Sequence, residues 1–192
     1  YYRKKDADFP GQPFLKADPV QVAKYRQGAK RLRVGISWAG GSKHTNSAVR
    51  SVELQKLKPI LEQDCDFFSL QYTKEAANEV CALDESIGIH LHHYPDIVEN
   101  YNYDKTINFI ASMDLVITVC TTLNQAAGAL GVPTWTMVPS MPAWRYGLNG
   151  KDSPWYKSVR YFRQKDGDSW NPVVCQIADE LNNLVKRKLK AA

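Results

Sequence analysis

An α/β fold built on a mostly parallel sheet is what this sequence predicts, and three observations carry the prediction. Short apolar segments alternate with helical patterns along most of the chain, the arrangement of βαβ units. Segments such as LVITV at 115–119 are apolar without alternation, which suits strands covered on both faces. Glycine-rich or small polar loops leave the ends of two strands, where open parallel sheets bind their ligands. Together these describe a Rossmann-like, three-layer α/β/α domain over residues 31–192, behind a lead-in at 1–30.

The lead-in is rich in Pro, Gly, Lys and Asp, with Pro10, Gly11, Pro13 and Pro19 as punctuation. A short helix is expected from Asp18 and Pro19, because proline suits the first helical position. The first strand is RVGISW at 33–38. The loop AGGSKHTNSAVRS follows at 39–51, then a helix over 52–61 with Ser51 as its cap. A strand at 67–70 precedes a helical pattern at 73–84. A strand at 89–93 precedes a helix at 103–112. The buried strand 115–119 leads into a helix of small residues at 123–130. Strands at 133–138 and 159–162 and a closing helix at 173–189 complete the order. No internal repeat or low-complexity segment appears.

Of 192 residues, 44% are hydrophobic and 23% charged, which excludes a disordered chain, a collagen or one long coiled coil. No apolar run nears the roughly 20 residues of a spanning helix. The net charge of +5 comes from the ends: Arg3, Lys4 and Lys5 on one side, Lys186, Arg187, Lys188 and Lys190 on the other. Without those seven, 18 basic residues face 20 acidic ones. A near-neutral body argues against nucleic acid, which wants a basic face. The basic C-terminal run reads as the solvated last turns of a helix, where cations also suit the dipole. Cys65, Cys81, Cys120 and Cys175 form no CxxC pair, and closely spaced zinc ligands are missing. Reduced, mostly buried thiols and a cytoplasmic location are expected. The chain opens on Tyr1 with no leader pattern, which reads as a fragment or processed product.

Two loops and one aromatic segment could carry chemistry. In AGGSKHTNSAVRS, Gly40 and Gly41 allow close backbone approach, and Lys43, His44 and Arg50 supply donors. That combination fits a phosphate cradle, but on its own a solvated loop explains it more readily; it is neither a P-loop nor a GxGxxG motif. In VCTTLNQAAGALGVPTW, Thr121 or Thr122 can cap the helix that follows, whose remaining N–H groups and dipole favour an anion. Plain capping and packing explain the same residues. Cys120 stands before a helix N-terminus, a place that lowers a thiol pKa, but no His partner is in reach. The segment PSMPAWRYGLNGKDSPWYKSVRYFRQ gathers Trp144, Arg145, Tyr146, Trp155 and Tyr156. It could stack a base or sugar, with Trp144 and Arg145 as the candidates, or clamp the final helix. His90, His92 and His93 tempt as metal ligands, yet alternate strand residues face opposite sides and no further ligand has a familiar spacing.

Four segments occur in order: WAGGSKHTNSAVRSVEL, FFSLQ, FIASMDLVITVCTTLNQAAGALGVPTW and WRYGLNGKDSPWYKSVRYFRQ. Together they resemble the C-terminal half of glycosyltransferase family 9 proteins, above all the heptosyltransferase-like domains that follow tetratricopeptide repeats in bacteria. The likeness to the C-terminal half of O-GlcNAc transferases is more distant. The resemblance covers most of 31–185 and implies one half of a GT-B fold, the half that binds a nucleotide-sugar donor. The acceptor and the usual catalytic carboxylate would belong to a missing N-terminal domain, and tetratricopeptide repeats would be a further partner. No metal and no cofactor beyond the nucleoside-diphosphate sugar is implied. Carried over residue by residue, Trp38, Gly40, Gly41, Lys43, His44 and Arg50 match the first phosphate-side loop. Gln71 matches the glutamine after the second strand, and Thr121 and Thr122 match the hydroxyl pair that meets the diphosphate. The family usually has Asp where Cys120 stands and His where Gln125 stands. Gln125 can hydrogen-bond a sugar or phosphate but carries no proton at neutral pH. A nucleotide-binding module without turnover and a structural, protein-interaction domain are therefore alternatives to the enzyme.

Overall fold

The computed structural model describes residues 5, 8–41, 43–99, 102–167 and 169–191. Arg3 and Lys4 of the basic N-terminal run lie outside them. Five strands form one sheet: β1 (Leu32–Ser37), β2 (Cys65–Ser69), β3 (Leu115–Val119), β4 (Thr134–Val138) and β5 (Val159–Arg163). Their order is β2-β1-β3-β4-β5, and every neighbouring pair is parallel, with Val34 beside Phe67 on one side and Leu115 on the other. The helical elements are α1 (Pro19–Arg26), α2 (Ser47–Arg50), α3 (Lys58–Leu61), α4 (Ala76–Ile87), α5 (Pro95–Val98), α6 (Tyr103–Ala111), α7 (Thr122–Leu130) and α8 (Asn171–Ala191).

Alternation along the strands assigns the two faces. Val34, Ile36, Leu115, Ile117 and Val119 point into one core with Leu57, Ile60, Leu83, Ile177 and Leu181, from α3, α4, α8 and the turn before α3. Phe68, Val116, Phe109, Ile110, Leu123 and Ala127 form the other core, under α5, α6 and α7. Each Val, Leu, Ile or Phe among them, fully buried, stabilises by about 1.5–3 kcal/mol relative to exposure. β3 is buried at all five positions, Thr118 included, as expected of a strand covered on both faces. Gly35 is the one strand position without a side chain, and a Cβ there would stand 2.6 Å from Leu70 Cδ1.

The lead-in is packed on the domain. Asp18 caps α1 by accepting from Val20 N, and its own N–H donates to Asn108 Oδ1 at 2.8 Å. Arg26, at the end of α1, donates to the Ser112 carbonyl and to Asp114 at 2.7 and 2.9 Å. Phe14 and Leu15 N–H groups both reach the Ala129 carbonyl at the end of α7. The basic run of α8 is exposed, as expected, and Lys188 reaches Asp114 at 3.5 Å.

Three expectations are corrected. The continuous helix at 52–61 is broken into a 3-10 turn, Leu54–Leu57, and the single turn α3. Pro59 is the reason: it has no N–H to continue a ladder and instead opens a new turn. Ser51 is accordingly no cap for it; it ends α2, and its hydroxyl accepts from Gly40 N at 3.2 Å. The strand at 89–93 is a single parallel bridge, Phe68 to His92, closed by Ser69 N→His92 O and His92 N→Phe67 O. Pro95, which opens α5, stops it from growing. The thiols divide evenly: Cys65 and Cys120 are buried, while Cys81 and Cys175 are exposed on α4 and α8.

Candidate active site at the carboxyl ends of β1 and β3

From β1 the chain goes to β2 on one side and, later, β3 is added on the other. The carboxyl ends of β1 and β3 therefore diverge into a crevice, the place where such sheets take their ligands. The first loop, 38–51, leaves β1 there, and Cys120 and Thr121 leave β3 opposite it.

The two loops touch through glycine. A Cβ at Gly40 would come within 2.2 Å of Thr121 Cγ2, and a Cβ at Gly41 within 1.8 Å of Arg50 Nη2. Gly41 also has φ +91°, a conformation side chains rarely adopt. So the Arg50 guanidinium lies directly over the Gly41 backbone. Its Nη2 donates to Thr45 Oγ1 at 2.7 Å and its Nη1 to the Cys120 carbonyl at 3.4 Å. Its Nε is buried and has no partner among the described residues. Arg50 thus bridges the two loops with donor capacity to spare.

The amides of Trp38, Ala39 and Gly40 are not spare. Gln71 is fully buried two residues past β2, and its Oε1 accepts from Ser37 Oγ, Trp38 N and Ala39 N at 2.9, 3.1 and 3.1 Å. Its Nε2 donates to the Ala39 carbonyl at 2.9 Å. The Gly40 N–H goes to Ser51. Trp38 is 1% exposed and donates its indole N–H to Glu79 Oε2 at 2.6 Å. Trp38 and Gln71 therefore shape the loop from below, rather than facing the crevice. The backbone of Lys43 lies in a 3-10 turn with His44 and Thr45; the Lys43 side chain lies outside the described residues.

Thr121 caps α7, its Oγ1 accepting from Leu123 N at 3.3 Å and standing 3.3 Å from Thr118 Oγ1. Thr122 is exposed beside it at the mouth of the crevice. The positive end of α7 opens here. On the far side of α7, Gly128 makes room for the Tyr156 ring, which a Cβ would meet at 2.5 Å.

The third wall is the long connection from β4 to β5. It carries a 3-10 turn, Trp144–Tyr146. Tyr146 is buried, and the Gln125 amide donates to its hydroxyl at 3.4 Å. Trp144 is 79% exposed, 6.0 Å from the Trp155 ring centroid and edge-on to it. Arg145 faces the crevice.

These walls enclose two adjoining lobes. A polar lobe of about 350 Å³ is lined by Gly41, Arg50, Tyr72, Thr121, Thr122, Gln125 and Arg145, with Cys120 at its floor. A second lobe of about 430 Å³ shares Arg50, Cys120 and Arg145 and adds His44, Val49, Pro139, Met141 and Ala143 among others. Among the described residues, the polar lobe has two guanidinium groups and no carboxylate. Its charge invites an anion.

Neither Cys120 nor Gln125 is a proton carrier at neutral pH. Burial pushes the Cys120 thiol up to about 12, although Tyr146 and the Arg50, Arg145 and Arg163 charges pull the other way. The helix N-terminus does not activate it: desolvation wins over the dipole, and its thiol donates to the Met137 carbonyl at 3.7 Å. Burial likewise raises the Tyr146 hydroxyl to about 12, with the Cys120 charge adding to it.

Thus the structure brings Gly40, Gly41, His44, Arg50, Cys120, Thr121, Thr122, Gln125 and Arg145 to one crevice. It sets Trp38 and Gln71 beneath it and Trp144 on its outer rim. Sequence reasoning missed Tyr72, whose only signal is its place after a strand end, and the apolar residues of the second lobe. Among the described residues, no three His, Cys, Asp or Glu side chains are grouped to hold a metal ion, and no helix is long and apolar enough to cross a membrane.

No family model matches the chain. Protein FlbA of Caulobacter vibrioides is 26% identical to it over 175 residues, covering 88% of this chain and 29% of FlbA. The chain thus spans less than a third of that relative's length. Among solved structures, ADP-heptose LPS heptosyltransferase II of E. coli matches with a TM-score of 0.60 at 17% identity, over 95% of this chain and 57% of that one. A glycosyl transferase family 9 protein of Veillonella parvula matches with a TM-score of 0.55 at 9% identity, over 91% and 52%. At these identities the likeness is one of fold: the chain has the architecture of about half of each of these glycosyltransferases.

Proposed function

We propose that this chain is the donor-binding half of a glycosyltransferase of family 9 type, and that its crevice takes the diphosphate of a nucleotide sugar. The observation that carries the reading is the polar lobe at the β1/β3 switch point, where Arg50 and Arg145 stand beside the N-terminus of α7 with no carboxylate among the described lining residues. The fold shared with two such enzymes supports it.

In this reading an acceptor hydroxyl attacks the anomeric carbon of the sugar. The bond from that carbon to the diphosphate oxygen breaks, and negative charge grows on the departing diphosphate. Arg50, Arg145, the hydroxyl of Thr122 and the α7 N-terminus would meet that charge, already aimed and partly shielded from water. The acceptor's proton must go elsewhere. Cys120 stays a neutral thiol and Gln125 is an amide, so the base would come from the second domain of a larger protein. Tetratricopeptide repeats, a bacterial source and a cytoplasmic setting belong to the same proposal.

The test is calorimetric titration of the chain with UDP, GDP, ADP and their sugars. One nucleoside diphosphate should bind, and Arg50→Ala and Arg145→Ala should each weaken it about tenfold or more, the value of a hydrogen bond to a charged group. Unchanged affinity in both variants would remove the diphosphate from this lobe. A second reading, a binding module without turnover, is favoured by the same two residues, Cys120 and Gln125. It predicts nucleotide binding with no transfer to acceptor or water by the whole protein.

A further inference from the structure

The rim that carries Arg145 has little secondary structure to hold it. Twenty residues separate β4 from β5, with only the short turn Trp144–Tyr146 among them. Gly147 and Gly150 take left-handed φ values of +59° and +85°. Left to itself, such a loop would be mobile.

A single side chain gathers it. Arg163, the last residue of β5, donates from Nη2 to the Tyr146 and Asn149 carbonyls at 2.6 and 3.1 Å. Its Nη1 donates to the Gly147 carbonyl at 3.0 Å and its Nε to the Gly150 carbonyl at 2.6 Å. All three nitrogens of the fork are used, on four carbonyls within five residues. Among the described residues no ion pair to a carboxylate competes for it. The guanidinium lies over the Tyr161 ring at 5.1 Å, which fixes its plane. From the other side, the Trp155 indole N–H donates to the carbonyl of Arg145 itself at 2.7 Å. The backbone of residues 145–150 is thus tied at five carbonyls by two side chains.

We propose that Arg163 is the positioning residue of the crevice: it folds the 146–150 loop so that Arg145 stands over the polar lobe, opposite Arg50. The proposal rests on the donor-site reading for its functional meaning, not for its geometry. Arg163 has no place among the residues lining either lobe, so it acts through Arg145 rather than on the ligand. Lysine would not replace it, because one ammonium cannot serve four converging carbonyls as a planar fork does.

The test is a double-mutant cycle with inorganic pyrophosphate as the probe, joined to amide hydrogen exchange. Arg163→Lys should weaken pyrophosphate about tenfold in the native background and less than about twofold in an Arg145→Ala background. Equal losses in both backgrounds would overturn the proposal, because a merely structural role would act whether or not Arg145 is present. Exchange of the 144–150 amides should accelerate at least about tenfold in Arg163→Lys, while β4 and β5 stay protected. Unchanged exchange would also overturn it. Trp155→Phe, which loses the bond to the Arg145 carbonyl and part of the ring's packing on Phe9 and Trp144, should move both readouts the same way by a smaller factor, and serves if Arg163→Lys does not fold. Should the native chain bind no pyrophosphate, the diphosphate reading fails, and the exchange measurement still decides whether Arg163 holds the loop.

Discussion

Behind the glycine wall of the crevice stands a neutral amide, Gln71; behind the aromatic wall stands a cation, Arg163. Each comes from the carboxyl end of an edge strand, β2 or β5, and each reaches inward to hold a loop that belongs to a neighbouring strand. Their chemistry differs as the loops differ. The first loop turns away from β1 with N–H groups and a carbonyl both pointing down, and the Gln71 amide, which accepts at Oε1 and donates from Nε2, meets both. The second curls its carbonyls toward one point, which a donor-only fork matches. The first wall is sealed: Gln71 is fully buried and every polar atom of its amide is used. The second is half-open, and its holder is reached by water. One wall should behave as part of the core and the other as an adjustable rim.

The largest effect should come from breaking the sealed wall. Gln71→Leu leaves the Ser37 hydroxyl, the Trp38 and Ala39 N–H groups and the Ala39 carbonyl without their partner. An unsatisfied buried group costs about 1–3 kcal/mol, so a total near 3 kcal/mol is expected even with partial relaxation. For a chain this long that lowers the melting midpoint by roughly 6–12 °C. A loss no larger than that of Arg163→Lys would erase the distinction between the walls.

Next in size is Gly41→Ala. The new Cβ would meet the Arg50 guanidinium, and the residue would be held at φ +91°. Backbone strain of this kind costs about 1–3 kcal/mol. The guanidinium is the far end of a flexible chain and can swing away. The expected outcome is therefore a modest stability loss with about tenfold weaker diphosphate binding, because Arg50 leaves its seat. Loss of stability with full binding would show that Arg50 does not need that seat.

How much of this was legible before folding depends on the range of the forces involved. The strands were readable because burial on both faces leaves a local mark: at 115–119, four apolar residues and one threonine with no charged residue among them. A threonine cap at 121 or 122 was readable, since capping is a contact between neighbours, and the fold selects Thr121. The bridge at His92 was misread as a full strand because residues 89–93 carry β-like alternation, while the stop is set by Pro95, outside the alternating segment. The meeting of Arg50 with Arg145, and of Arg163 with the carbonyls of 146–150, has no local mark at all. It depends on β1 and β3 lying side by side, an order fixed by packing across the whole sheet. The glycine pair shows the property its sequence suggests, close approach, and the close neighbours are a threonine methyl at Gly40 and a guanidinium at Gly41.

Cys120 lies between the two walls, on the floor of both lobes, and offers the finest test of how dry that floor is. Burial holds its thiol near 12, against an ordinary value of 9.0. Cys65, at the start of β2, is held near 12 for the same reason. The unfolded chain releases these protons near pH 9 and the folded chain does not. Their neutral burial thus contributes stability that is complete below about pH 9 and drains away as pH rises toward 12. Each thiol should steepen the fall by about 1.4 kcal/mol per pH unit within that window. Urea unfolding at pH 7.5, 9 and 10 should show the decline, and Cys120→Ala should remove about half of the thiols' share of it. Comparing slopes cancels any constant cost of the lost sulfur. If Cys120→Ala falls as steeply as the native chain, the thiol ionises in the folded state, water reaches the floor of the crevice, and the diphosphate would be met by a wetter and weaker field than a sealed wall provides.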